Sequence, residues 1–222
     1  MRDVFHEELD HIGRSLIEMT NLVDAAMRKA TVALLGADLT LAEQVISEDA
    51  VIDQLHAETE QRALDLIARQ QPVASDLRTI MTGMRMVGSL ERMGDLALHV
   101  AKVARMRYPN EALPSEVRPI FAEMAQLAHE LTEKAGEALA GHDTALAAEL
   151  ERDDDRMDAL HRRLFTLVLA DWQHGMESAI DVTLLGRYYE RYADHAVSLA
   201  RRVVQLVTGE LPRSTPSASP IR

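Results

Sequence analysis

Cysteine is absent from this 222-residue chain, and aromatic residues make up only 4% of it. The first absence excludes disulfides and thiolate metal sites, so any metal must be held by Asp, Glu, His or carbonyl oxygen. The second, in a chain rich in Ala, Leu, Met, Glu and Arg, argues for helix over strand. Positive charge is also short: 24 Lys and Arg against 36 Asp and Glu leave a net charge of −12. That balance excludes binding of nucleic acid, or of anionic lipid, by charge alone. Long apolar runs are missing, the strongest lying near 164–170 and far too short to span a bilayer. The first eight residues lack the apolar centre of a secretory signal. A cytoplasmic location is expected, with membranes reached only through partners.

What is present is a helical period. Apolar residues recur every three or four positions almost throughout, and no useful strand alternation occurs. Phe5, Leu9, Ile12, Leu16, Met19, Val23, Met27 and Ala30 form a first stripe, interrupted at Gly36-Ala37-Asp38. Thr40-x-x-Glu43 reads as a capping box opening a second helix to about Gln70. Pro72 suits the first turn of a third, running to about Tyr108. Pro109, Asn110 and Pro114 mark a linker. A fourth helix from about Ser115 to Ala140, a fifth to about Gln173 and a sixth to about Thr208 follow. The expected organisation is a first three-helix repeat over 1–109, a second over 115–208, and a disordered Pro/Ser-rich tail over 209–222.

The chain repeats itself. Gly36, Asp38, Asp49, Asp53 and His56 have partners 105 positions later in Gly141, Asp143, Asp154, Asp158 and His161. Glu91 and Asp95 have partners 99 positions later in Glu190 and Asp194. The fold expected is therefore all-α: two pseudo-symmetric bundles of three long antiparallel helices, related by internal duplication.

The repeated residues are carboxylate ladders at i, i+4, a spacing that stacks two side chains on one helix face. A helical wheel puts Asp49, Asp53, His56 and Glu60 on the face of Ala42, Val45, Ile46, Ala63, Leu64 and Ile67. It puts Glu91 and Asp95 with Leu77, Ile80, Met81, Met84 and Val87. In the second half Asp154, Asp158 and His161 fall among Leu150, Met157, Leu164, Val168 and Leu169, and Glu190 and Asp194 lie with Met176, Ile180 and Val197. Carboxylates on an apolar face repel one another and must protonate or meet cations. An oxygen-rich, thiol-free set suits Mg, Mn, Fe or Zn. The competing reading is ion pairing with Arg85, Arg92, Arg187 and Arg191. His56 and His161 stand open between metal ligand and ordinary hydrogen-bonded histidine. There is no Walker loop, nucleophile elbow or H-E-x-x-H, and the chain reads as a non-enzyme. The alternative is a ferritin-like carboxylate-bridged di-metal enzyme, because Asp53-x-x-His56 and Asp158-x-x-His161 have the i, i+3 spacing of such bundles.

The segment Gln71-Pro72-Val73-Ala74-Ser75-Asp76-Leu77-Arg78, followed by Glu91-Arg92-Met93-Gly94-Asp95-Leu96-Ala97, resembles the PhoU family, and the likeness runs from Phe5 to Val207. The second half departs from it, having Met176-Glu177-Ser178-Ala179-Ile180 in place of the Pro-Val-Ala segment. The resemblance implies metal ions or multinuclear clusters at Asp49/Asp53, Glu91/Asp95, Asp154/Asp158 and Glu190/Asp194. It implies a homodimeric negative regulator of phosphate uptake and of the phosphate-starvation response. Such a regulator links the ATPase of the phosphate ABC transporter to a sensor histidine kinase.

Overall fold

A computed structural model describes residues 2–210, with side chains from Phe5 onward. Most of the Pro/Ser-rich tail, from residue 211, lies outside the described residues. Six helices account for nearly all of the rest: α1 (Arg2–Gly36), α2 (Leu39–Gln70), α3 (Ala74–Arg107), α4 (Arg118–Gly141), α5 (Thr144–Ala170) and α6 (Gly175–Thr208). There is no strand among the described residues. None of these helices is long and apolar enough to cross a membrane.

Helices α1, α3, α6 and α4 touch in a closed ring, with α2 laid over α1 and α3 and α5 laid over α4 and α6. Each three-helix set is thus one half of the duplication, and the halves join through α1–α4 and α3–α6. The joint is apolar and aromatic with specific polar contacts. Tyr189 and Tyr192 of α6 are fully buried. Their hydroxyls pair with Thr31 of α1 (2.6 Å) and Thr132 of α4 (3.2 Å). His129 of α4 meets Asp24 of α1 at 2.8 Å. Arg107 of α3 grips the buried Asp181 of α6 through Nε (2.6 Å) and Nη2 (3.1 Å). Such a bonded, desolvated pair fixes which faces of α3 and α6 meet.

The helix starts differ from expectation in ways the local chemistry explains. The cap of α2 is Asp38, whose Oδ1 accepts from the Leu41 amide at 3.0 Å, so Thr40 and Glu43 lie inside the helix and form no capping box. The same device recurs at α5, where Asp143 Oδ1 accepts from the amides of Ala145 (2.9 Å) and Leu146 (3.0 Å). The residues that break α1 and α4 are not the glycines but their successors. Ala37 (φ 48°) and His142 (φ 52°) adopt the left-handed conformation, while Gly36 and Gly141 end the helices. Pro72 precedes α3 rather than opening it, since the helix begins at Ala74. Helix α4 begins at Arg118 with Pro119 in its first turn, later than Ser115.

Candidate metal centres

On α2 the inward stripe is Ala42, Val45, Ile52, Thr59, Ala63 and Leu66. Its spacing alternates three and four residues, and the two places it skips are filled by Asp49 and His56, both half-buried. On α5 the stripe of Ala147, Leu150, Met157 and Leu164 skips two places in the same way, and Asp154 and His161 fill them. These residues therefore occupy positions where the fold expects a hydrophobe. The rest of the ladder does not. Asp53 and Glu60 are exposed on the flank of α2, so the wheel placed them too centrally. Asp158 is half-buried and ion-paired to Arg162 at 3.7 Å.

The facing helices supply Glu91 and Asp95 from α3 and Glu190 and Asp194 from α6. The Glu91, Asp95 and Glu190 side chains are 19%, 31% and 13% exposed. Asp194 is exposed. Two glycines let the outer helices come close. A Cβ on Gly94 would lie 3.1 Å from Ile52 Cδ1 and 3.5 Å from Asp49 Oδ1, and one on Gly186 would lie 2.9 Å from Leu164 Cδ1 and 3.3 Å from His161 Cδ2. Beside the first site a cavity of ≈ 290 Å³ opens between α1 and α2, with Asp49 and Gly94 in its wall.

The ladders meet in pairs. Burial, then the charges of Asp53 and Asp95, push the Asp49 carboxyl up to about 6 against the pull of Lys102. Glu91 is raised by burial and by Asp95, opposed by Arg92 and His56. In the second site burial, then Asp194, Asp158 and Glu190, push Asp154 up to about 7. Burial and Asp194 take Glu190 to about 7 despite Arg187. Desolvation raises Asp194, against Arg187, with Asp158 adding to the rise. Burial lowers His161, and Arg187 lowers it further. Each four-carboxylate set thus sits along one helix–helix seam, α2–α3 or α5–α6.

Arginine partly compensates them. Arg92 bonds Asp95 (Nη1–Oδ2, 2.8 Å) and lies 3.4 Å from Glu91, and Arg187 bonds Glu190. Arg85 and Arg191, the other two cations close in sequence, have no carboxylate partner among the described residues. The compensation is incomplete. Glu190 Oε2 and His161 Nε2 are buried with no hydrogen-bond partner. Among the described residues no three His, Asp or Glu side chains are gathered as a ready-made metal site. The donor chemistry nevertheless fits a hard or borderline cation: desolvated carboxylates, an unpartnered carboxylate oxygen and an unpartnered imidazole nitrogen. Binding would require Arg92 and Arg187 to release their partners.

Several expectations about exposure are corrected here. Leu64, Leu77, Met81, Leu169, Met176 and Ile180 are exposed rather than core. They form three duplicated pairs, Leu64/Leu169 at the 105-residue offset and Leu77/Met176 and Met81/Ile180 at the 99-residue offset. Each half therefore exposes the same apolar positions on the second and third helices of its repeat.

Comparison with known proteins agrees with this architecture. The PhoU domain pattern matches residues 16–104 and again 121–203. A Mycobacterium tuberculosis protein, "Phosphate-specific transport system accessory protein PhoU homolog 2", is 52% identical over 213 residues, which are 96% of this chain and all of that one. An Aquifex aeolicus protein, "Phosphate-specific transport system accessory protein PhoU homolog", is 36% identical, covering 92% and 93% of the two chains. The crystal structure of PhoU from Pseudomonas aeruginosa superposes with a TM-score of 0.85 at 30% identity, covering 93% of this chain and 100% of that one. With the same fold, duplicated pattern and near-complete coverage, this chain belongs to the PhoU family.

Proposed function

We propose that the protein is a non-enzymatic regulatory adaptor of phosphate homeostasis, located in the cytoplasm and accessory to a phosphate ABC transporter. The observation that carries this reading is the match, across nearly the whole chain, to proteins described as accessory to phosphate-specific transport. In the finer reading, the protein contacts the transporter's ATPase subunit and a sensor histidine kinase, and restrains both uptake and starvation signalling. The duplicated exposed apolar residues support a docking role. Exposed Leu, Met and Ile side chains repeated in both halves are what an interaction surface would use. Their pseudo-twofold arrangement suits a partner that presents two equal surfaces, and a homodimer of this chain offers one further use for them.

The carboxylate sites fit divalent or iron-type cations within this reading. Asp49, Asp53, Glu91 and Asp95, with His56 adjacent, would hold one group of ions. Asp154, Asp158, Glu190 and Asp194, with His161, would hold the other. A bound cation would supply positive charge to two repulsive clusters and an open position for an anionic ligand. The di-metal enzyme is less well supported. Its two Asp-x-x-His sets would have to face each other in one bundle, whereas α2 and α5 do not touch.

The test is affinity capture of the chain from cells grown in phosphate-rich and phosphate-starved medium, with the transporter ATPase and histidine kinases quantified by mass spectrometry. The adaptor reading expects at least one of them in a phosphate-dependent amount. Recovery of neither in either condition would overturn it.

A further inference from the structure

The seam between α3 and α6 carries a second charge anomaly, opposite in sign to the first. The two helices run antiparallel in a fixed register. Arg78 Nη1 donates to the Gly209 carbonyl at 3.4 Å, and further along His99 stacks on Tyr188 with ring centroids 5.3 Å apart. A step of seven residues on each helix from the first contact leads to Arg85 beside Arg202, and a second step to Arg92 beside His195. Three other arginines of α3 are held: Arg92 by Glu91 and Asp95, Arg107 by Asp181 and Glu177, and Arg78 by Gly209. Arg85 and Arg202 are not. Among the described residues neither guanidinium has an ion pair or a hydrogen bond, and Arg202 Nε is a buried donor with no acceptor.

Two guanidiniums side by side repel, and burying a donor of one of them adds a desolvation cost. Burial, then the charge of Arg85, correspondingly lowers the Arg202 pKa. In a chain with net charge −12, an unpaired arginine couple is a local exception that bulk charge does not explain. The surroundings are polar. Gln205, one turn beyond Arg202, is 8% exposed; its unpartnered Oε1 is an acceptor, so only its amide nitrogen can donate to an anion. Thr82, one turn before Arg85, is buried; it also lines, with Ser75, Arg78 and Thr79, a neighbouring cavity of ≈ 220 Å³ that neither Arg85 nor Arg202 borders.

We propose that Arg85 and Arg202, with Gln205 and Thr82 beside them, form a binding site for a phosphate-type oxyanion at the α3–α6 seam. Two planar guanidinium forks offer paired donors to a tetrahedral dianion, and two positive charges balance its two negative ones. A single carboxylate would leave one of them uncompensated. The anion would complete Arg202 Nε and tie the two halves of the duplication together where they meet. The site is separate from the carboxylate seams and does not depend on metal or on the regulatory reading. The shared chemistry is the phosphate group, whether inorganic phosphate or the phosphate end of a nucleotide.

The experiment is isothermal titration of the full-length protein with inorganic phosphate, and separately with ADP, at matched ionic strength and both before and after EDTA treatment. The site predicts saturable binding of one of these ligands that survives chelation. It also predicts affinity roughly tenfold or more weaker in Arg85→Gln and in Arg202→Gln, as expected for loss of a charge-assisted hydrogen bond. Tighter binding of phosphate than of ADP would identify the free ion as the ligand, and the reverse would identify a nucleotide. Should Arg202→Gln fail to fold, the exposed Arg85 decides the matter. The proposal is overturned if neither ligand saturates at millimolar concentration, if chelation abolishes binding, or if the folded variants bind like wild type.

Discussion

Replacing Glu190 by Gln should stabilise the metal-free protein at alkaline pH. The Glu190 side chain is 13% exposed, and its carboxyl is raised from 4.5 to about 7 by burial and by Asp194. At ~1.4 kcal/mol per pH unit, ionising it in the folded state costs about 3.5 kcal/mol as an upper bound. The charge is shared with Asp154 and Asp194, and Gln gives up the bond to the half-exposed Arg187, worth about 1 kcal/mol or less. A net gain of about 1–2 kcal/mol remains, or roughly 2–8 °C in Tm for a chain of this size. The sign with pH follows from linkage. A carboxyl whose folded pKa is raised contributes stability that is fully present below the unfolded value of 4.5 and is lost as pH rises through about 7. The gain from Gln should therefore appear at pH 8 and shrink towards zero at pH 5. His161 and His195, both lowered by burial, work in the opposite sense, contributing stability above 6.5 that is lost as pH falls through their depressed values. They are common to both proteins and cancel in the difference. Urea denaturation of EDTA-treated wild type and Glu190→Gln at pH 5 and pH 8 measures this directly. A variant less stable than wild type at pH 8, or an equal difference at both pH values, would refute the reasoning.

Three further outcomes follow from the geometry. Ala37→Gly and His142→Gly should each raise stability by about 0.5–1 kcal/mol, because both residues hold positive φ; unchanged or lower Tm would count against left-handed caps there. Gly186→Ala should cost about 1–3 kcal/mol, since its Cβ would meet Leu164 at 2.9 Å. Gly88→Ala faces open space and should gain up to about 1 kcal/mol, so melts showing equal effects would contradict the described α5–α6 approach. Glu91→Ala combined with Asp95→Ala should lower the bound metal of the first site, as measured by elemental analysis of purified protein; an undiminished content would remove these residues from the ligand set.

The helices and their duplication were legible because a 3.6-residue period and a 105-residue offset are local properties of the chain. The depth of individual side chains was less so. The buried stripe of α2 advances seven residues per two turns, and over four such repeats a straight wheel drifts by about 20° each time. That drift carried Asp53, Glu60 and Leu64 onto a face they do not share. Leu77, Met81, Met176 and Ile180 have the right period but lie towards the helix ends at the α2–α3 and α5–α6 turns, and exposure there depends on the tertiary arrangement. Asp38 and Thr40 are both plausible caps two residues apart, and the bond to Leu41 decides between them. Arg202 and Gln205 carried no warning, because their interest comes from what faces them across the α3–α6 seam.

The central claim is that the chain restrains phosphate uptake in the cell. Uptake of radiolabelled phosphate, in phosphate-rich medium, by cells lacking the chain tests it most directly. The account predicts uptake that stays high, returning to the restrained level with the wild-type chain but not with a variant carrying Glu in place of Leu77, Met81, Met176 and Ile180. Uptake in the deletion strain indistinguishable from that of the parent would contradict it.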